Sequence, residues 1–83
     1  MGSKTFDGVW FSSYSHDHLP PHVHGFYAEV EVLLELLNGT VRLAQRAKPI
    51  RPPKAKKSDV NHILRTAMKH TAELMELWRI TNG

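Results

Sequence analysis

The chain predicts an α+β fold: a three-stranded antiparallel sheet containing a β-hairpin with its turn at Asn38-Gly39, packed against one C-terminal amphipathic helix. Three observations carry this prediction. Apolar and polar residues alternate from His22 to Leu37, an Asn-Gly pair follows, and from Val60 to Trp78 the apolar residues switch to helical spacing. With 83 residues the chain has room for one domain, 1–83. A chain this short buries only about 60–65% of the surface its unfolded form exposes, so a protein partner or a homo-oligomer is an expected source of further burial.

Asp7-Gly8 is a turn signal ahead of Val9-Trp10-Phe11-Ser12-Ser13-Tyr14, an aromatic, β-leaning segment that forms the first strand. Ser15-His16-Asp17-His18-Leu19-Pro20-Pro21 is then a loop or a stiff extended connector and not helix, because proline removes a backbone donor and holds the residue before it extended. The alternation from His22 to Leu37 makes one long strand. Phe26, Ala28, Val30, Val32, Leu34 and Leu36 share its buried face, with Tyr27, Glu29, Glu31 and Glu35 on the wet one.

Asn38 and Gly39 both tolerate positive φ, so they predict a two-residue type I′ turn. Closing the hairpin there pairs Leu37 with Thr40, Leu36 with Val41, Glu35 with Arg42, Leu34 with Leu43, Val32 with Gln45 and Glu31 with Arg46. Apolar residues meet on one face and opposite charges on the other, each good pair contributing roughly 0.2–1 kcal/mol, and a slip by one residue loses both patterns.

Residues 46–57 hold six of the eleven basic residues and three of the five prolines with no acid, which predicts an extended, solvated linker. Ser58 is placed to N-cap a helix with Asp59 in its first turn. The apolar stripe of Val60, Ile63, Leu64, Ala67, Met68, Leu74, Met75, Leu77 and Trp78 makes that helix amphipathic over about 22 residues, ending at Asn82-Gly83.

Composition narrows the function classes. Hydrophobic residues are 41% and charged residues 23%, and no apolar run approaches the ~20 residues of a membrane span, so no membrane partner is expected. The absence of cysteine excludes disulfides, thiolate metal sites and cysteine nucleophiles. No apolar leader stands at the N-terminus, which predicts a cytoplasmic location.

Four of the six histidines fall in His16-Asp17-His18-Leu19-Pro20-Pro21-His22-Val23-His24. In extended backbone, residues two apart share a side about 6.6 Å apart, so His16 and His18, or His22 and His24, can converge. Three roles fit. In a structural role His24 continues the buried face and bonds a backbone carbonyl at the core's edge, while Asp17 or His18 caps the turn. In a metal role three or four of His16, His18, His22 and His24, with a carboxylate, hold zinc or another divalent transition metal. In an acid/base role Asp17, His18, His22 and His24 are the catalytic candidates, with one imidazole as base, another as acid and Asp17 orienting a ring. His62 and His70 lie on the helix and belong to the surface or the core's edge.

Asp17-His18, Pro20-Pro21-His22 and His24, preceded by Asp7-Gly8 and an aromatic strand and followed by an alternating strand, resemble the bacterial domain-of-unknown-function 4160 family. Glu73, Leu74 and Trp78 stand where that family has its C-terminal Glu-Leu-x-x-x-Trp pattern, and the resemblance spans roughly Asp7 to Trp78. His16 stands where the family has a small polar residue, so the resemblance makes it the weakest member of the metal set after His18, His22 and His24, and the linker is longer and more basic than the usual connection. The resemblance implies a small bacterial protein of toxin–antitoxin type.

The linker carries +6 and so leaves −3 on the rest of a chain whose net charge is +3. Arg46, Lys48, Arg51, Lys54, Lys56 and Lys57 are the candidate nucleic-acid-binding residues, contacting phosphates of RNA or DNA without reading sequence, or else they simply keep a connector solvated. No aromatic residue interleaves with them, which argues against base stacking within the linker. The expected function is a binding module that contacts a protein partner and, through the linker, nucleic acid. The alternatives are a histidine-dependent RNase or phosphodiesterase, with or without metal, and a metal-binding protein. Binding leads because so short a chain has little room for both a core and an enclosed pocket.

Overall fold

The structure is a computed structural model and describes residues 2–14 and 20–82. Three two-residue turns organise the sheet. The first, Asp7-Gly8 with φ of 50° and 79°, joins β1 (Gly2–Phe6) to β2 (Val9–Ser13). The second, Ala28-Glu29 with φ of 50° and 66°, joins β3 (His22–Tyr27) to β4 (Val30–Leu37). The third, Asn38-Gly39, leads to β5 (Thr40–Leu43). A short β6 (Ile50–Arg51) precedes α1 (Lys57–Lys69) and α2 (Thr71–Asn82). The strand order is β1-β2-β3-β4-β5, every pairing is antiparallel, and β6 pairs with β4.

The α+β class holds, but the expected three strands and one helix become six strands and two helices among the described residues. The long strand from His22 to Leu37 is two strands folded back on each other, with Tyr27 opposite Val30 and Phe26 opposite Glu31. A two-residue loop exchanges odd and even positions between its flanks. Phe26 and His24 therefore lie on the face opposite to Val30, Val32 and Leu34, not on the same one. No glycine or asparagine marks this turn; Ala28 and Glu29 are both held in the left-handed region.

The Asn38-Gly39 hairpin has the expected register from Leu34↔Leu43 to Leu37↔Thr40, with positive φ on Gly39 rather than on both turn residues. The pairing does not run on to Gln45 and Arg46: Val32 faces Ile50 and Glu31 faces Arg51, because β6 takes over that edge of β4. Part of the solvated linker is thus sheet. β1 escapes sequence reading because four of its five residues, Gly2-Ser3-Lys4-Thr5, offer no apolar alternation.

One sheet face carries the core. Val9, Phe11, Val23, Val32 and Leu34 are fully buried there with Ile63, Ala67 and Leu74 from the helices. α1 packs on β3, β4 and β5, and α2 on β1 and β2. Two directions require a break, and it falls at His70, whose backbone leaves helical geometry (φ −119°, ψ 31°). The Thr71 hydroxyl donates to the Met68 carbonyl at 3.0 Å, and the Leu74 amide to the His70 carbonyl at 2.9 Å, so the backbone groups freed by the break are reused. The helix starts at Lys57 with Lys56 as N-cap and no side-chain cap bond, so Ser58 is not the cap. Met68 turns away from the core, 53% exposed. His62 and His70 lie at the core's edge, His62 donating to the Asp7 carbonyl at 2.9 Å and His70 stacking on Phe6 at 3.9 Å. Among the described residues no helix is long and apolar enough to cross a membrane.

Candidate functional site

The face away from the helices is the one that sequence parity misassigned, and it holds the chemistry. At Leu33 the edge of β4 changes partner: its carbonyl accepts from the Ala44 amide at 3.0 Å, and its amide donates to the Pro49 carbonyl at 2.8 Å. Residues 45–48 therefore leave the sheet and return to it within one strand position. The Glu35 carboxylate, only 4% exposed, fixes the departure by accepting from the Gln45 amide at 3.3 Å and from Arg42 Nε at 3.0 Å. Lys48 lies at the return with φ 57°.

This excursion roofs a cleft of about 240 Å³ lined by His24, Glu31, Leu33, Arg46, Ala47, Lys48, Pro49 and Arg51. On its floor, His24 Nδ1 donates to Glu31 Oε2 at 2.9 Å across the β3–β4 hairpin. The two residues are diagonal neighbours, since Glu31 is opposite Phe26 and His24 opposite Leu33. Tyr14 meets the His24 ring edge-on, with centroids 5.0 Å apart. A carboxylate on Nδ1 sets the tautomer and leaves Nε2 as the ring's basic nitrogen when the imidazole is neutral. Three cations against one already partnered carboxylate make the cleft electropositive.

His22 is 3% exposed; its Nδ1 donates to the Pro20 carbonyl at 2.9 Å, and Trp78 of α2 lies 5.3 Å from its ring. The backbone-carbonyl role expected of His24 thus falls to His22, while His24 takes a carboxylate because the turn at Ala28-Glu29 brings Glu31 alongside it. The His22 and His24 rings are 5.9 Å apart. His16, Asp17 and His18 lie outside the described residues, so their places in the metal and acid/base sets do too. Among the described residues, no group of three His, Asp or Glu side chains is arranged to hold a metal ion.

Of the six basic candidates, Arg46, Lys48 and Arg51 meet at the cleft, whereas Lys54, Lys56 and Lys57 lie exposed on the way into α1 and do not line it. Glu31 and Leu33 were missed as site residues. The signal available was strand length: an unbroken strand from 22 to 37 exceeds the usual 3–10 residues, so a concealed turn was the better expectation.

A family model described as "Domain of unknown function (DUF4160)" matches residues 8–79. No curated protein and no solved structure matches the chain.

Proposed function

Given that the chain belongs to the DUF4160 family, whose description assigns no activity, we propose from the geometry of its cleft that it is a binding module for the phosphate backbone of a nucleic acid. The observation that carries this is the convergence of Arg46, Lys48 and Arg51 on one cleft whose carboxylate is engaged by His24. Arginine and lysine at such a site bind phosphate oxygens and release counterions, giving affinity that falls with salt and is indifferent to sequence. A protein partner of toxin–antitoxin type, or a second copy, remains part of the proposal; the small core and the family's resemblance support it.

Affinity for a fluorescent oligonucleotide measured from about 50 to 200 mM salt tests the reading. Replacing Arg46, Lys48 and Arg51 together with alanine is expected to weaken binding about equally across sequences and to reduce the slope of log affinity against log salt by about 2. The same loss from replacing Lys54, Lys56 and Lys57 instead, with the cleft intact, refutes the cleft as the site.

The His24–Glu31 bond favours a second reading, RNA cleavage. Nε2 of His24 would take the proton of a 2′-hydroxyl as its oxygen bonds to phosphorus, and the 5′-oxygen would leave and be protonated from solvent. On that reading Glu31→Gln, which keeps shape but not charge, lowers cleavage while backbone binding survives. An RNA substrate left intact by the unmodified protein removes it.

A further inference from the structure

The helix-free face extends beyond the cleft. Cross-strand register sets Trp10 of β2, Phe26 of β3, Glu31 of β4 and Arg51 of β6 in one row across the sheet. Trp10 is 41% exposed and lies against Phe26, with ring centroids 5.1 Å apart and planes tilted by 34°. The cross-strand contact with Phe26 covers part of the indole and leaves the rest of it open on the face away from the core. Beside Phe26 an open trough of about 470 Å³, lined also by Glu29, Val30, Glu31, Arg51 and Pro52, meets the cationic cleft at Glu31 and Arg51, so Phe26 of the aromatic pair borders a continuous path to the cations. Neighbouring strands are about 4.8 Å apart, which places Phe26 about 10 Å from the backbone of Arg51. A nucleotide has its base and phosphate on that scale.

We propose that Trp10 and Phe26 are a stacking platform for unpaired bases, and that the occupant of this face is single-stranded nucleic acid whose phosphates enter the Arg46, Lys48 and Arg51 cleft. This rests on the backbone-binding reading and goes further by naming the strand state. Charge complementarity selects the occupant: beyond Glu31, whose carboxylate His24 engages, the cations Arg46, Lys48 and Arg51 follow the apolar stacking surface on one sheet face, the pairing that sequence-tolerant single-strand binders use. In a duplex the faces of the bases are covered by their neighbours, and only backbone contact remains. The aromatic residues absent from the basic linker are thus provided by two other strands.

The test compares a short single strand, as RNA and as DNA, with the duplex of the same sequence, using the full chain at fixed salt. Single strands are expected to bind more tightly than the duplex. Trp10→Ala should weaken single-strand binding by about 5- to 150-fold with duplex affinity and salt slope unchanged, and Trp10→Phe should restore most of it. Binding of the single strand should also quench indole emission in the unmodified protein and not in Trp10→Phe, a readout independent of whether the alanine variant folds. Equal affinity for both strand states, with no quench, overturns the platform and leaves the backbone reading standing. Absence of binding to either overturns both. Sedimentation as a dimer that Trp10→Ala dissociates gives the face to a second copy and overturns the platform.

Discussion

Gly25 lets the helical layer approach the sheet. A Cβ built on it would stand 2.7 Å from Ile63 Cγ2 and 3.2 Å from Phe11 Cε1, and both side chains are fully buried. Neither has room to yield. Gly25→Ala is expected to cost ~1–3 kcal/mol by overpacking, read from the midpoint of urea unfolding. With Ile63→Ala added, the combined loss should fall short of the sum of the two, because each substitution relieves the other's misfit. The strand alternation indicates that position 25 faces the core only once the turn after it is known; which helix residue fills the space is a tertiary fact.

Two elements depend on features that carry no local signature. The Ala28-Glu29 turn holds two L-residues in the left-handed region, at roughly 1–2 kcal/mol each. Asn-Gly at these positions suits the same backbone and is expected to raise stability by ~1–2 kcal/mol, seen as a higher denaturant midpoint with unchanged slope. A lower midpoint would mean that the Ala28 and Glu29 side chains hold the turn in some other way. The junction of α1 and α2 is the second case. There His70 Nδ1 donates to Glu73 Oε2 at 2.9 Å and holds that exposed carboxyl below its usual value of 4.5. A lowered carboxyl pKa stabilises the fold above the unfolded value and ceases to do so as pH falls through the folded one. Carboxyl titration followed by NMR should therefore show Glu73 moving up toward 4.5 in His70→Ala, with the pH-dependent part of the stability loss full above about 4.5 and fading as pH falls through the lowered folded value. An unmoved Glu73 titration would place the cause elsewhere.

Across the whole molecule, the helices use one face of the sheet for the core, and the other face collects the remaining chemistry. The linker's charge divides accordingly. Arg46, Lys48 and Arg51 join His24 and Glu31 because the chain returns to β4 at Pro49, while Lys54, Lys56 and Lys57 continue exposed into α1. The sensitivity to salt expected of the cleft thus belongs to three cations rather than six, and the proposed preference for unpaired bases belongs to the aromatic row on the same face.

The sequence by itself determined what is local: the α+β class, the register of Leu34–Leu37 on Thr40–Leu43, the Glu35–Arg42 pair, the helical segment and the histidine- and lysine-bearing segments as the places to look. Each follows from side-chain period or turn chemistry within a few residues. Only the tertiary structure decided that His24 belongs with Glu31 and three linker cations. That depends on a turn without glycine, which inverts the parity of everything before it, and on the pairing of β6 with a strand some twenty residues earlier. Backbone hydrogen bonds to a distant edge are available to almost any side chain, so no residue type announces them.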